Sequence, residues 1–103
     1  MPSMNVTVTH ALGAAEAQRR MESVLPDLKT RFADFIQGLD ESWTGGVNTF
    51  TLKAKGMTIP GTVTVTDDSA SLQAELPFAA LFFKSTIESA LREEATKLLS
   101  LPA

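Results

Sequence analysis

Three alternating apolar runs joined by two short turns constrain this chain more than any other feature. Phe50, Leu52 and Ala54 alternate with Thr49, Thr51 and Lys53, the period-two pattern of a strand with one buried face. Lys55 and Gly56 then suit a two-residue hairpin turn, setting Ala54 opposite Met57, Leu52 opposite Ile59 and Phe50 opposite Gly61. A second turn at Asp67 and Asp68 sets Val65 opposite Ala70, Val63 opposite Leu72 and Ile59 opposite Leu76. The two turns independently bring the apolar side chains to one common face, and a one-residue slip in either would turn a strand's apolar set outward. An antiparallel meander is expected, with Thr49, Thr51, Thr58, Thr62, Thr64, Ser71, Gln73 and Glu75 on a solvated face. Pro60 lies inside the middle run and has no N–H for a ladder. With Gly61 it is expected to mark a bulge or bend that curves the sheet.

The flanking segments supply one more strand and the helices. Met4, Val6 and Val8 alternate with Asn5, Thr7 and Thr9 as a first strand. Gly13 is placed to cap a helix with Glu16 in its first turn, where the helix dipole favours a carboxylate. Ala17, Met21, Val24, Leu28, Phe32 and Phe35 recur at steps of three and four and form one apolar stripe. The stripe keeps its phase across Pro26, so a single kinked helix ending at Gln37 and Gly38 is expected. A short strand carries Trp43 before Gly45 and Gly46, with Trp43 packing on the core. Ile87, Ala90, Leu91, Ala95, Leu98 and Leu99 line the inner face of a C-terminal helix. Ser85 and Glu88 fit a capping box, and Glu88 with Arg92 and Glu93 with Lys97 are spaced for exposed ion pairs.

The expected fold class is α+β, in the order β-α-β-β-β-β-α over a single domain of residues 1–103. A curved antiparallel sheet carries two helices on its apolar face, and the first strand lies antiparallel beside the last. This order resembles the TATA-binding-protein-like or helix-grip class, whose larger members enclose hydrophobic ligands.

Composition narrows the chemistry. A net charge of −3 without a basic block argues against nucleic acid, which needs clustered Lys and Arg to neutralise phosphate. With no cysteine there is no disulfide or thiolate zinc site, which suits a reducing cytosol. No apolar stretch approaches the roughly 20 residues of a membrane span, and the first residues carry neither the basic nor the apolar region of a secretory signal. A cytoplasmic location is expected. The only histidine, His10, lacks a convergent nucleophile and orienting acid, and is expected to brace the turn along with Gly13 and Glu16. No metal, cofactor or catalytic cluster is expected. Asp67 and Asp68 are adjacent, whereas a calcium loop needs spaced oxygen ligands.

Phe78, Leu81, Phe82, Phe83 and Lys84 form the strongest functional candidate. So apolar a connection either closes the open end of the core, lines a cavity or stays exposed as a contact patch. Inward-turned Leu81 and Phe83 are the plainer expectation, since large apolar side chains are usually buried. All four large side chains do not easily fit so small a core, which leaves one or two presented outward.

Taken in order, Thr9, His10, Ala11, Leu12, Gly13, Glu16, Ala17, Arg19 and Arg20, then Phe50, the run from Gly56 to Val63, Leu81 to Lys84, and Ile87 with Glu88 carry a resemblance. The chain resembles the small bacterial family of polyhydroxyalkanoic acid system proteins. That resemblance implies association with storage of polyhydroxyalkanoate, a hydrophobic polyester kept as cytoplasmic granules, and brings no catalytic motif or cofactor. The expectation is a non-enzymatic accessory protein acting at the granule surface or on a granule-bound partner, with Leu81, Phe82 and Phe83 in contact and Lys84 at the polar edge. The alternative is a soluble binding protein for a small hydrophobic acyl ligand, which calls for a pocket of roughly 300 Å³ or more. The Thr-rich face or an edge strand is a candidate homodimer surface.

Overall fold

Alternating apolar runs build the centre of one five-stranded antiparallel sheet in a computed structural model that describes residues 3–100. The strands are β1 (Ser3–Thr9), β2 (Ile36–Thr44), β3 (Val47–Ala54), β4 (Met57–Val65) and β5 (Ser69–Glu75), and their order across the sheet is β1-β5-β4-β3-β2. Every neighbour is antiparallel, and β1 pairs with β5 through Met4 opposite Ala74 and Val6 opposite Leu72. Helices α1 (Ala14–Met21) and α2 (Val24–Arg31) cross from one sheet edge to the other, and α3 (Lys84–Ser100) follows a 3-10 helix at Phe78–Phe83. All pack on the same apolar face, giving the curved, helix-gripping α+β arrangement expected from the element order. Among the described residues no helix is long and apolar enough to cross a membrane.

The hairpin registers follow the turns. Ala54 faces Met57, Leu52 faces Ile59 and Phe50 faces Gly61, while Val65 faces Ala70 and Val63 faces Leu72. Lys55 and Gly56 have φ of 52° and 77°, the doubly left-handed geometry whose twist matches that of the flanking strands. The β4–β5 pairing stops at Gly61 and Ala74, so Ile59 and Leu76 are not ladder partners, although both are buried.

Pro60 explains that early stop. Flanking a two-residue turn, Ala54 and Met57 form a hydrogen-bonded pair, so alternate β4 residues bond toward β3 and those between bond toward β5. The Thr66 N–H donates to the Ser69 carbonyl at 2.8 Å, which puts Thr64, Thr62 and Pro60 in the set directed at β5. Pro60 has no N–H to give, and the ladder ends one residue before it. Of the bulge or bend expected at Pro60 and Gly61, no bulge forms, because β3–β4 pairing passes through both without a slip. The slip lies between Ile36 and Gly38 in β2 instead. Gly61 is needed for space: a β-carbon there would collide with the Phe50 ring, which lies across it, and with the Gln73 carbonyl.

The helices depart from expectation at three places. Two helices replace the single kinked one, with Glu22 as the C-cap of α1 and Ser23 as the N-cap of α2. Pro26 thereby falls in the first turn of α2, where its missing N–H breaks no intrahelical bond. Second, α2 stops at Arg31, so Gln37 and Gly38 belong to β2. Phe35 therefore leaves the helical stripe and is 42% exposed. Third, Ser85 and Glu88 form no capping box, since Ser85 is already inside α3. The 3-10 helix runs directly into α3, and the Lys84 N–H donates to the Leu81 carbonyl. The expected ion pairs along α3 are also replaced. Arg92 donates to the Thr7 carbonyl at 3.2 Å, and Glu93 faces Arg31 at 3.7 Å.

The core joins Met4, Val6, Phe50, Leu52, Val63 and Leu72 of the sheet to Met21, Leu25 and Leu28 of the first two helices and to Leu91 and Leu99 of α3. Trp43 packs on it partly buried. Two buried polar side chains are satisfied locally. Asn48 Nδ2 donates to Glu41 Oε1 at 2.8 Å, and its Oδ1 accepts from the Ser42 N–H at 3.2 Å. Arg20 donates to Glu16 at 2.8 Å and to the Leu98 carbonyl at 3.0 Å, tying α1 to the end of α3.

Candidate functional site

The sheet's two ends differ in chemistry. At one end β1 passes into α1 beside the β4–β5 turn, and here His10, Gly13 and Glu16 lie. The Leu12 N–H donates to His10 Nδ1 at 3.1 Å, so the proton sits on Nε2, which donates to the Thr66 carbonyl at 3.0 Å. The His10 N–H donates to the Asp68 carbonyl, and Asp67 Oδ1 accepts from Ala14 N–H at the start of α1. Gly13, with φ of 81°, provides the left-handed bend that the entry into the helix requires. Glu16 is gripped by Arg19 and Arg20, whose hydrogen bonds lower its pKa from 4.5 to about 2. Both imidazole nitrogens are thus occupied in bracing a turn. Among the described residues no cluster of three His, Cys, Asp or Glu side chains is placed to hold a metal.

At the other end the chain leaves β5 at Leu76 and Pro77 and winds into the 3-10 helix. Its short repeat and hydrogen bonding bring only Ala80 inward, at 2% exposure. Phe78 and Phe82 stand out at 74% and 90% exposure, and Leu81 and Phe83 are close to half exposed. The plainer expectation, Leu81 and Phe83 buried in the core, is therefore not met: both stay part-exposed, and only the small Ala80 is buried. Lys84 is half-buried and begins α3.

Behind this segment lies an apolar cleft of about 110 Å³. Leu28 of α2 and Phe32 just after it, Leu52 and Ile59 from the hairpin, and Ala80 and Ile87 from the C-terminal segments line it. Phe35 and Phe83 meet at its mouth, ring centroids 6.1 Å apart and planes inclined at 56°. The Lys55 N–H bonds to the Phe35 carbonyl and to Gln37 Oε1, at 3.1 and 2.7 Å. This ties the β3–β4 turn to the start of β2 and holds that wall of the cleft in place. Its inner lining is wholly apolar, with Lys55 and Thr86 as the two lining residues that carry polar side-chain groups. Phe35, Lys55, Met57 and Thr86 also line it, and none of the four carries a sequence signal for this role. Phe35 reads as part of a helix stripe and Lys55 as a turn residue.

No curated protein matches the chain. Among solved structures, the di-domain ARO/CYC BexL from the BE-7585A biosynthetic pathway is similar at 11% identity and a TM-score of 0.46, covering 99% of this chain but only 51% of its own. Ara h 8.0201 is similar at 11% identity and a TM-score of 0.39, over 97% of this chain and 99% of that one. TTHA0849 from Thermus thermophilus is similar at 12% identity and a TM-score of 0.37, over 95% of this chain and 92% of that one. At these values nothing about ligand or activity passes to the present chain. The sequence match is more specific: residues 4–99 fit the family described as putative polyhydroxyalkanoic acid system protein. The chain belongs to that family of polyhydroxyalkanoic acid system proteins.

Proposed function

We propose that this is a non-enzymatic accessory protein of polyhydroxyalkanoate storage, which attaches to the hydrophobic polyester at the granule surface through the 3-10 helix. The observation that carries this reading is the exposure of Phe78 and Phe82, at 74% and 90%, beside an apolar cleft. Exposed aromatic side chains grouped in this way mark a contact surface far more often than isolated ones do. Burying one such ring is worth about 1.5–3 kcal/mol, so two or three give attachment that is reversible.

The cleft favours a second reading, a soluble binding protein for a small hydrophobic acyl molecule. At about 110 Å³ it falls short of the roughly 300 Å³ of an ordinary ligand pocket. It therefore suits the end of an alkyl chain better than a wholly enclosed molecule. Co-sedimentation of purified protein with native granules, with liposomes and polystyrene beads as controls, separates the two. Selective pelleting with granules is expected. A protein that stays in the supernatant, or pellets equally with every apolar surface, overturns the granule reading and leaves the acyl ligand to be tested.

A further inference from the structure

The cleft is apolar except at its mouth. Lys55 is its one cationic lining residue, and Lys55 Nζ sits 4.9 Å from the centroid of the Phe35 ring. Among the described residues this ammonium group has no carboxylate partner, in a chain whose net charge is −3. The backbone of Lys55 is fixed by its hairpin turn and by the bonds to Phe35 and Gln37, and the contact of Nζ with the Phe35 ring places the cation at the rim. Thr86 contributes the only other O–H or N–H donor side chain to the lining.

A ligand complementary to this arrangement has an alkyl chain for the cleft and an anionic end for the rim. Resting on the reading of the cleft as an acyl site, we propose that its occupant is a free acyl carboxylate, with the alkyl end inserted beside Ala80 and Ile87 and the carboxylate on Lys55. A neutral ester or alcohol fills the same apolar space but leaves the ammonium group without a counter-charge. A cationic amphiphile is repelled. With the ammonium over a ring face but exposed to solvent, the pair is worth what a favourable surface ion pair is worth.

The test is a titration of the full chain with sodium octanoate and with octan-1-ol, followed by the NMR methyl signals of Ala80 and Ile87. Both probes are expected to move these signals. Lys55→Met, which keeps the aliphatic stem, is expected to weaken octanoate about fivefold and leave octanol unchanged, while Lys55→Arg retains octanoate affinity. If Lys55→Met weakens neither probe or both alike, the carboxylate assignment is overturned and the acyl cleft stands. If neither probe moves Ala80 or Ile87 in the unaltered protein, the cleft reading and the carboxylate assignment fall together.

Discussion

Replacing Phe78 and Phe82 by serine separates attachment from stability. The two rings are 74% and 90% exposed, so they give the fold little, and the double variant is expected to keep its unfolding free energy in urea to within about 0.5 kcal/mol per site. Full burial of a phenylalanine is worth about 1.5–3 kcal/mol, and almost all of that is still available to a partner. If a flat polymer surface covers half of each exposed ring, the pair contributes roughly 1.2–2.5 kcal/mol, or about 7- to 60-fold in partition. The assay is co-sedimentation with native granules over a range of granule concentration, with circular dichroism and urea unfolding on the same samples. Leu91→Ala is the converse control. That side chain is 2% exposed, so its truncation costs about 2–5 kcal/mol of stability while leaving the aromatic surface intact. A folded Phe78→Ser, Phe82→Ser protein that pellets as the unaltered one does would refute the assignment of the 3-10 helix as the contact.

Three further outcomes test the packing. Gly61→Ala is expected to destabilise by about 2–3 kcal/mol, because the added methyl meets the Phe50 ring and the rigid Gln73 carbonyl; an unfolding free energy within about 0.5 kcal/mol of the original would contradict that crowding. Asn48→Ala removes two hydrogen bonds from a fully buried position, the one given to Glu41 Oε1 and the one accepted from the Ser42 N–H, and should cost about 1–3 kcal/mol by urea unfolding. For Glu16, whose pKa falls from 4.5 to about 2 on folding, the unfolded chain takes up a proton first as pH drops. Its stabilising contribution is therefore complete above 4.5 and is lost progressively down to about 2. The difference in urea midpoint between the unaltered protein and Glu16→Gln should be constant above that window and shrink within it.

Much of the sheet was legible because strand pairing here is a local matter. Alternation assigns faces, a two-residue turn assigns partners, and the two constraints agree in both hairpins. The same holds for the apolar face of α3, where Ala90, Leu91, Ala95 and Leu99 are buried as their spacing requires. Pro60 was legible as a disturbance but not as the end of the β4–β5 ladder. Which side its missing donor faces depends on pairing parity across two neighbours.

Residue order and short-range spacing were enough for the meander, the antiparallel return of β1 to β5 and the family to which the chain belongs. Three outcomes needed the packed molecule: where the helix between β1 and β2 breaks, which side of the 78–83 segment faces water, and that Phe35 and Lys55 frame a cleft. They depend on competition for limited space against the core. Ala80 takes the inward position, the phenylalanines around it are displaced outward, and residues far apart in the chain meet at one end of the sheet. No periodicity within a single segment encodes such a competition.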